Sequence, residues 1–194
     1  MIIALAGKAG SGKSTIAKFL HHDLQDTYGI KNEVASFATP IKDMAKALTD
    51  YIDEEIPDKN DEFLNSGRSY RYVLQTLGTE WGRNLICNSF WTDILDKRIA
   101  SKNCHIIIDD LRFKNELEWL KSKNDNFAIY VKRNVDDLER RDKSLFEVLH
   151  ESENNINSKM CDITVANNGS LSLASDFIQN FISEKVNLNE LFSV

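Results

Sequence analysis

The chain has 194 residues, a formal net charge of −6 at pH 7, and 42% hydrophobic and 28% charged residues. That length suits one domain with a sizeable core and is short for two, and the acidic balance argues against nucleic acid as the main partner. Cys87, Cys104 and Cys161 are odd in number and lack metal-ligand spacing, so they read as reduced thiols of a cytoplasmic protein; no apolar run reaches membrane-spanning length.

The apolar run Ile2-Ile3-Ala4-Leu5-Ala6 reads as a buried strand and leads directly into Gly7-Lys8-Ala9-Gly10-Ser11-Gly12-Lys13-Ser14. This stretch fits G-x-x-x-x-G-K-[ST] at every fixed position. A helical pattern of Ile16, Phe19, Leu20 and Leu24 follows it, closed by Gly29. Such glycines let successive backbone N–H groups turn inward around an anion, and the helix N-terminus adds partial positive charge. Gly7, Ala9, Gly10, Ser11, Gly12, Lys13, Ser14 and Thr15 are therefore candidates for holding the phosphates of a nucleoside triphosphate. Lys13 would reach the β- and γ-phosphates, and the Ser14 hydroxyl would ligate Mg²⁺. His21 and His22 read as surface residues of the same helix.

Residues 33–37 read as a second strand. Pro40 then suits the first turn of a helix with Ile41, Met44, Ala45, Leu48 and Ile52 on one face. Lys42 on that helix is expected near the ligand edge of the sheet. Residues 53–66, polar and acidic, read as a flexible connection. Helix resumes at Tyr70, breaks at Gly78 and restarts at Thr79; a further helix carries Trp91, Ile94, Leu95 and Ile99. Residues 38–103 thus form a helical insertion within a single domain spanning 1–194. Arg68, Arg71 and Arg83, with Lys42, are candidates for an acceptor phosphate. Gln75, Thr79 and Glu80 either read a base or sugar or form the wet face of the insertion. Tyr70, Tyr72, Trp81 and Trp91 either stack on a base or fill the core.

His105-Ile106-Ile107-Ile108-Asp109-Asp110 has the pattern of a strand buried on both faces that ends in two carboxylates. One of them would orient the metal beside Ser14; the alternative is that they cap the next helix. Arg112 follows closely and is expected at the same edge. A short helix over 115–123 and a strand over 127–131 come next. Residues 132–155 hold Arg133, Arg140 and Arg141 among many acids, with helix expected over 135–141. They read either as a solvated helical face or as a lid whose arginines close over the phosphates. A fifth strand over 162–166, the turn Asn167-Asn168-Gly169 and a closing helix complete the chain. Strands alternating with helices predict a three-layer α/β domain with a five-stranded parallel sheet.

The phosphate loop alone does not choose among kinases, GTPases and switches. The chain lacks an Asn-Lys-x-Asp element, and its helical insertion and Arg-bearing segment sit where a small-molecule kinase needs an acceptor site and a lid. Arg71-Tyr72-Val73-Leu74-Gln75-Thr76-Leu77-Gly78-Thr79-Glu80-Trp81-Gly82-Arg83, with Trp91 downstream, resembles the R-x-x-L-Q-x-x-G-T-E-x-x-R element of bacteriophage-type deoxynucleoside monophosphate kinases. The stretches Phe37-Ala38-Thr39-Pro40-Ile41-Lys42, Asp110-Leu111-Arg112-Phe113-Lys114-Asn115-Glu116 and His150-Glu151-Ser152-Glu153 agree with the same family.

The resemblance implies phosphoryl transfer from ATP, with Mg²⁺, to a deoxynucleoside 5′-monophosphate in the cytoplasm, that of a host cell if the chain is phage-encoded. It implies that Lys42, Arg71, Gln75, Thr79, Glu80, Arg83 and Arg112 line the monophosphate site, to which Arg68 and Trp91 are added as candidates. It also implies that Asn167 and Asn168 lie near the adenine of ATP, and that Asp110 rather than Asp109 is the metal-linked acid. Arg140 is the candidate lid arginine. The expected partners are small nucleotides, with neither nucleic acid nor membrane, and a homodimer is allowed. The alternatives are another small-molecule kinase of this fold (for dephospho-coenzyme A or a ribonucleoside monophosphate) or a nucleotide-dependent switch.

Overall fold

The computed structural model describes residues 1–133 and 155–185. Arg140, Arg141, the helix expected over 135–141, the His150-Glu151-Ser152-Glu153 stretch and most of the 132–155 segment lie outside the described residues. The chain divides into two compact units, one of Met1–Ala35 with the chain from Lys102 onward, the other Ser36–Ser101.

The first unit is built on a five-stranded, wholly parallel sheet: β1 (Ile2–Ala6), β2 (Asn32–Ala35), β3 (His105–Leu111), β4 (Asn126–Lys132) and β5 (Ile163–Ala166), in the order β2-β3-β1-β4-β5. Alternation along the strands explains its layers. Ile3, Leu5, Ile107, Ile129, Val131 and Val165 join one buried cluster with Ile16, Ala17, Leu20 and Leu24 of α1 (Lys13–Asp26) and Ala174, Ile178 and Ile182 of the closing helix α6 (Leu171–Lys185). The intervening residues Ala4, Ala6, Ile106, Ile108 and Ala128 face the opposite way and are equally buried. Leu117 and Leu120 of α5 (Lys114–Lys121) are buried too, and α5 packs on β4. Both faces are covered, as a parallel sheet requires.

The second unit is helical: α2 (Thr39–Tyr51), α3 (Tyr70–Thr76), a π-helix over Leu77–Ile86 and α4 (Phe90–Ile99). Three expectations are corrected here. The buried stripe of α2 is Ile41, Ala45 and Thr49, whereas Met44, Leu48 and Ile52 are exposed. Within residues 53–66, the stretch from Lys59 on is packed and hydrogen-bonded to α3 rather than a bare connection. Phe63 is buried and stacks on Tyr70 at 5.4 Å, while Tyr70 N and Arg71 N donate to the carbonyls of Asp61 and Lys59. Gly78 does not break the helix, because α3 runs without interruption into the π-helix.

Candidate functional site

The phosphate loop joins the C-terminal end of β1 to α1, at the sheet edge where open α/β folds bind ligands. Gly12 caps α1 with φ 91°, in the left-handed region, and no side chain occupies the cap position. The first-turn N–H groups are thereby left to an anion. Gly7, with φ 144°, passes so close to β4 that a Cβ would sit 2.4 Å from the Val131 carbonyl oxygen. Lys13 is buried, and its ammonium spans the loop, donating to Gly7 O at 2.6 Å and Lys8 O at 2.9 Å. The Ser11 hydroxyl is buried and has no hydrogen-bond partner among the described residues. Buried hydroxyls are seldom left so, and a phosphate oxygen would satisfy it.

Asn167, just beyond β5, holds this loop from outside. Its N–H donates to Lys132 O at 2.7 Å, and its side-chain Nδ2 donates to Ser11 O at 2.8 Å. The amide fills the space over Gly12, where a Cβ would lie 2.2 Å from Nδ2. Asn168 is exposed on the turn that follows.

Asp109 and Asp110 lie at the C-terminal end of β3, beside β1. The pairing there is irregular: Ala4 faces Ile108 but Ala6 faces Leu111, so β3 fits one extra residue at the acid doublet. A bulge of this kind re-aims side chains and is common next to active sites. Both carboxylates are half-buried. The turn beyond them is fixed by a residue that the sequence reading did not single out. Glu116, 1% exposed, accepts from Arg112 N at 2.8 Å and Phe113 N at 2.9 Å through one oxygen. Glu116 is the third residue of α5, where a glutamate can reach back to the N-cap N–H; with Phe113 at the N-cap only this half of a capping box forms, so the sequence carries a weak signal for it.

No group of three or more His, Cys, Asp or Glu residues able to hold a metal occurs among the described residues. The exposed Ser14 hydroxyl and the strand-end carboxylates are the oxygen groups at this edge that could hold a cation. That is the sparse, all-oxygen set that suits Mg²⁺, which keeps waters and shares phosphate oxygens.

The remaining candidates all belong to the second unit. Lys42 is exposed on α2. Arg68 lays its guanidinium over the Tyr72 ring, 4.9 Å from the centroid, and Arg71 donates to Asn60 Oδ1 through Nε at 3.4 Å and Nη2 at 3.3 Å. Gln75 has its Oε1 buried with no hydrogen-bond partner among the described residues. Thr79 is buried and Glu80 exposed. Arg83 and Trp91 sit inside the unit. Each is buried, and each donates to the Gly78 carbonyl. With 1% exposure, the Trp91 ring supports the helix and presents no free face for stacking.

A family model described as deoxynucleotide monophosphate kinase matches residues 46–177. A deoxynucleoside-5′-monophosphate kinase of Escherichia phage T5 is 25% identical, with the match covering 64% of this chain and 73% of that protein. A protein of Acanthamoeba polyphaga mimivirus, provisionally named a deoxynucleotide monophosphate kinase, is 28% identical over 62% of this chain and 68% of its own length. Among solved structures, shikimate kinase from Aquifex aeolicus is similar with a TM-score of 0.51 at 19% identity, over 95% of this chain and 98% of that one. The APS kinase of Mycobacterium tuberculosis, in complex with AMPPNP and APS, gives 0.52 at 12% identity, over 94% and 96%. At these identities the two structures speak to the fold alone.

Proposed function

The chain belongs to the deoxynucleotide monophosphate kinase family, and from that premise we propose how its residues divide the work of moving a phosphoryl group from ATP to a deoxynucleoside 5′-monophosphate. The bond from the γ-phosphorus to the ADP oxygen breaks, and a bond to an oxygen of the acceptor phosphate forms. The products are ADP and a deoxynucleoside diphosphate. Such a transfer needs positioning and positive charge more than covalent help from the protein.

The phosphate loop holds the triphosphate, with the N–H groups of residues 9–15 as donors. On nucleotide binding, Lys13 exchanges its two loop carbonyls for the β- and γ-phosphate oxygens. A lysine already buried at the loop needs little reordering to make that exchange. Ser14 and Asp110 would hold Mg²⁺, which when bound would offset charge on the phosphates. Arg112 faces the acceptor phosphate, where its planar fork binds two oxygens at once. Lys42, Arg68 and Arg71 supply further charge to the acceptor phosphate. Gln75, Thr79 and Glu80 read the nucleoside, the unpartnered Gln75 oxygen serving as an acceptor for a base N–H. Arg140, outside the described residues, is the candidate to add positive charge at the transferring group.

The observation that carries this reading is the built cradle around Gly7, Ser11, Gly12 and Lys13, locked from β4 and Asn167. The choice of acid is tested by comparing Asp109→Asn with Asp110→Asn. Asp110→Asn is expected to lower kcat by about 10²-fold or more and to shift the Mg²⁺ dependence to higher concentration. Asp109→Asn is expected to keep most activity. The reverse order would assign the metal to Asp109.

A further inference from the structure

The least ordinary backbone in the second unit is the π-helix, Leu77–Ile86. Helices of this kind are rare, form mostly as single turns, and recur at functional sites. A stretch of ten residues needs something besides its own hydrogen bonds to hold it. Two side-chain donors converge on one of its carbonyls. Trp91 Nε1 donates to Gly78 O at 2.7 Å, and Arg83 Nη1 donates to the same oxygen at 2.7 Å. The carbonyl thus takes two side-chain donors besides its place in the helix, and the guanidinium contributes the stronger, charge-assisted bond. Both side chains are buried, Trp91 to 1% exposure and Arg83 to 9%.

The approach of the indole depends on Gly82. A Cβ there would lie 2.5 Å from Trp91 Cε2, Cζ2 and Nε1, so the ring rests on bare backbone. Phe90, edge-on at 4.8 Å between centroids, and Trp81, at 6.1 Å, fix the ring on its other sides. The locked carbonyl lies between Gln75, whose buried Oε1 has no hydrogen-bond partner among the described residues, and the neighbouring pair Thr79 and Glu80.

We propose that Arg83 and Trp91 are positioning residues that lock the π-helix through the Gly78 carbonyl and thereby set Gln75, Thr79 and Glu80 for the acceptor nucleotide, without touching it. This rests on the reading that Gln75, Thr79 and Glu80 bind the monophosphate.

The test is Trp91→Phe in the full chain, which keeps a ring against Gly82 and removes the N–H. Loss of one buried hydrogen bond corresponds to about a tenfold effect. The KM for the deoxynucleoside monophosphate is expected to rise by about that factor, with the KM for ATP and kcat nearly unchanged. Amide hydrogen exchange is expected to quicken over residues 77–87 and not in the phosphate loop. Gly82→Ala, which pushes the indole off the carbonyl from the other side, is expected to do the same and serves if Trp91→Phe does not fold. Unchanged exchange in both variants, or equal rises in both KM values, would overturn the proposal. Glu80→Gln separates the two levels. If it raises the acceptor KM while Trp91→Phe leaves that KM unchanged, the lock fails and the acceptor reading stands. If neither variant moves the acceptor KM, the acceptor reading fails and the proposal falls with it.

Discussion

At the scale of single residues, the loop lysine and the asparagine that holds its loop make separable predictions. Lys13→Ala should abolish turnover, by 10³-fold or more on the order of other single charge deletions at phosphoryl sites, while circular dichroism stays native. Asn167→Ala removes the donor to Ser11 O and opens space over Gly12. It should raise the KM for ATP about fivefold to tenfold and leave the acceptor KM alone, because the amide acts on the loop. A change in base selectivity without a change in loop affinity would place Asn167 against the adenine instead. The thiols offer a check on burial. Burial, and secondarily Asp162, pushes the Cys161 thiol up to about 11 against a smaller opposing pull from Lys121, whereas Cys87 is exposed. In native protein at pH 8, iodoacetamide should modify Cys87 readily and Cys161 only after unfolding.

At the scale of elements, legibility followed the reach of each interaction. The phosphate loop was readable because its chemistry lies in consecutive residues with fixed spacing. The central strands were readable because burial on both faces leaves apolar runs, as in Ile106-Ile107-Ile108, whereas the edge strands β2 and β5 carry polar residues and were legible chiefly from their place in the strand–helix alternation. The buried stripe of α2 was misjudged because Met44, Leu48 and Ile52 lie on a helical face as regular as that of Ile41, Ala45 and Thr49, and only packing decides between them. The π-helix was invisible because its carbonyl is held by an indole thirteen residues onward. Trp91 accordingly read as a stacking or core aromatic, with no sign of its hydrogen bond. The β3 bulge at Asp109-Asp110 is likewise a property of pairing with β1 rather than of the doublet itself.

Glu116 yields the element-scale prediction. Glu116→Ala deletes a buried acceptor of two backbone N–H groups at the turn that carries Arg112. It should cost about 2–4 kcal/mol in urea unfolding, and Glu116→Gln clearly less, since its amide oxygen still accepts.

At the scale of the whole molecule, His105 ties stability to pH. It begins β3 at the N-terminal edge of the sheet. Burial first, and then the chain's amino terminus, hold its pKa below 6.5 against a smaller opposing effect of Asp125. The folded imidazole is therefore neutral where the unfolded one begins to protonate. Its contribution is fully present above the unfolded pKa of about 6.5 and is lost as pH falls through that value toward the lowered folded pKa. The urea midpoint of the protein should drop between pH 7 and pH 5, and His105→Gln should flatten that drop. A drop of equal size in the variant would assign the acid sensitivity to the carboxylates.

Family membership and the phosphate-loop geometry meet in one claim, that this protein passes phosphate from ATP to a deoxynucleoside monophosphate. The direct measurement is ADP production from ATP and Mg²⁺ with each deoxy- and ribonucleoside monophosphate added in turn. Strong stimulation by one or more deoxynucleotides is expected, with the matching diphosphate formed in equal amount and little effect of the ribonucleotides. Slow hydrolysis that no monophosphate accelerates would contradict it.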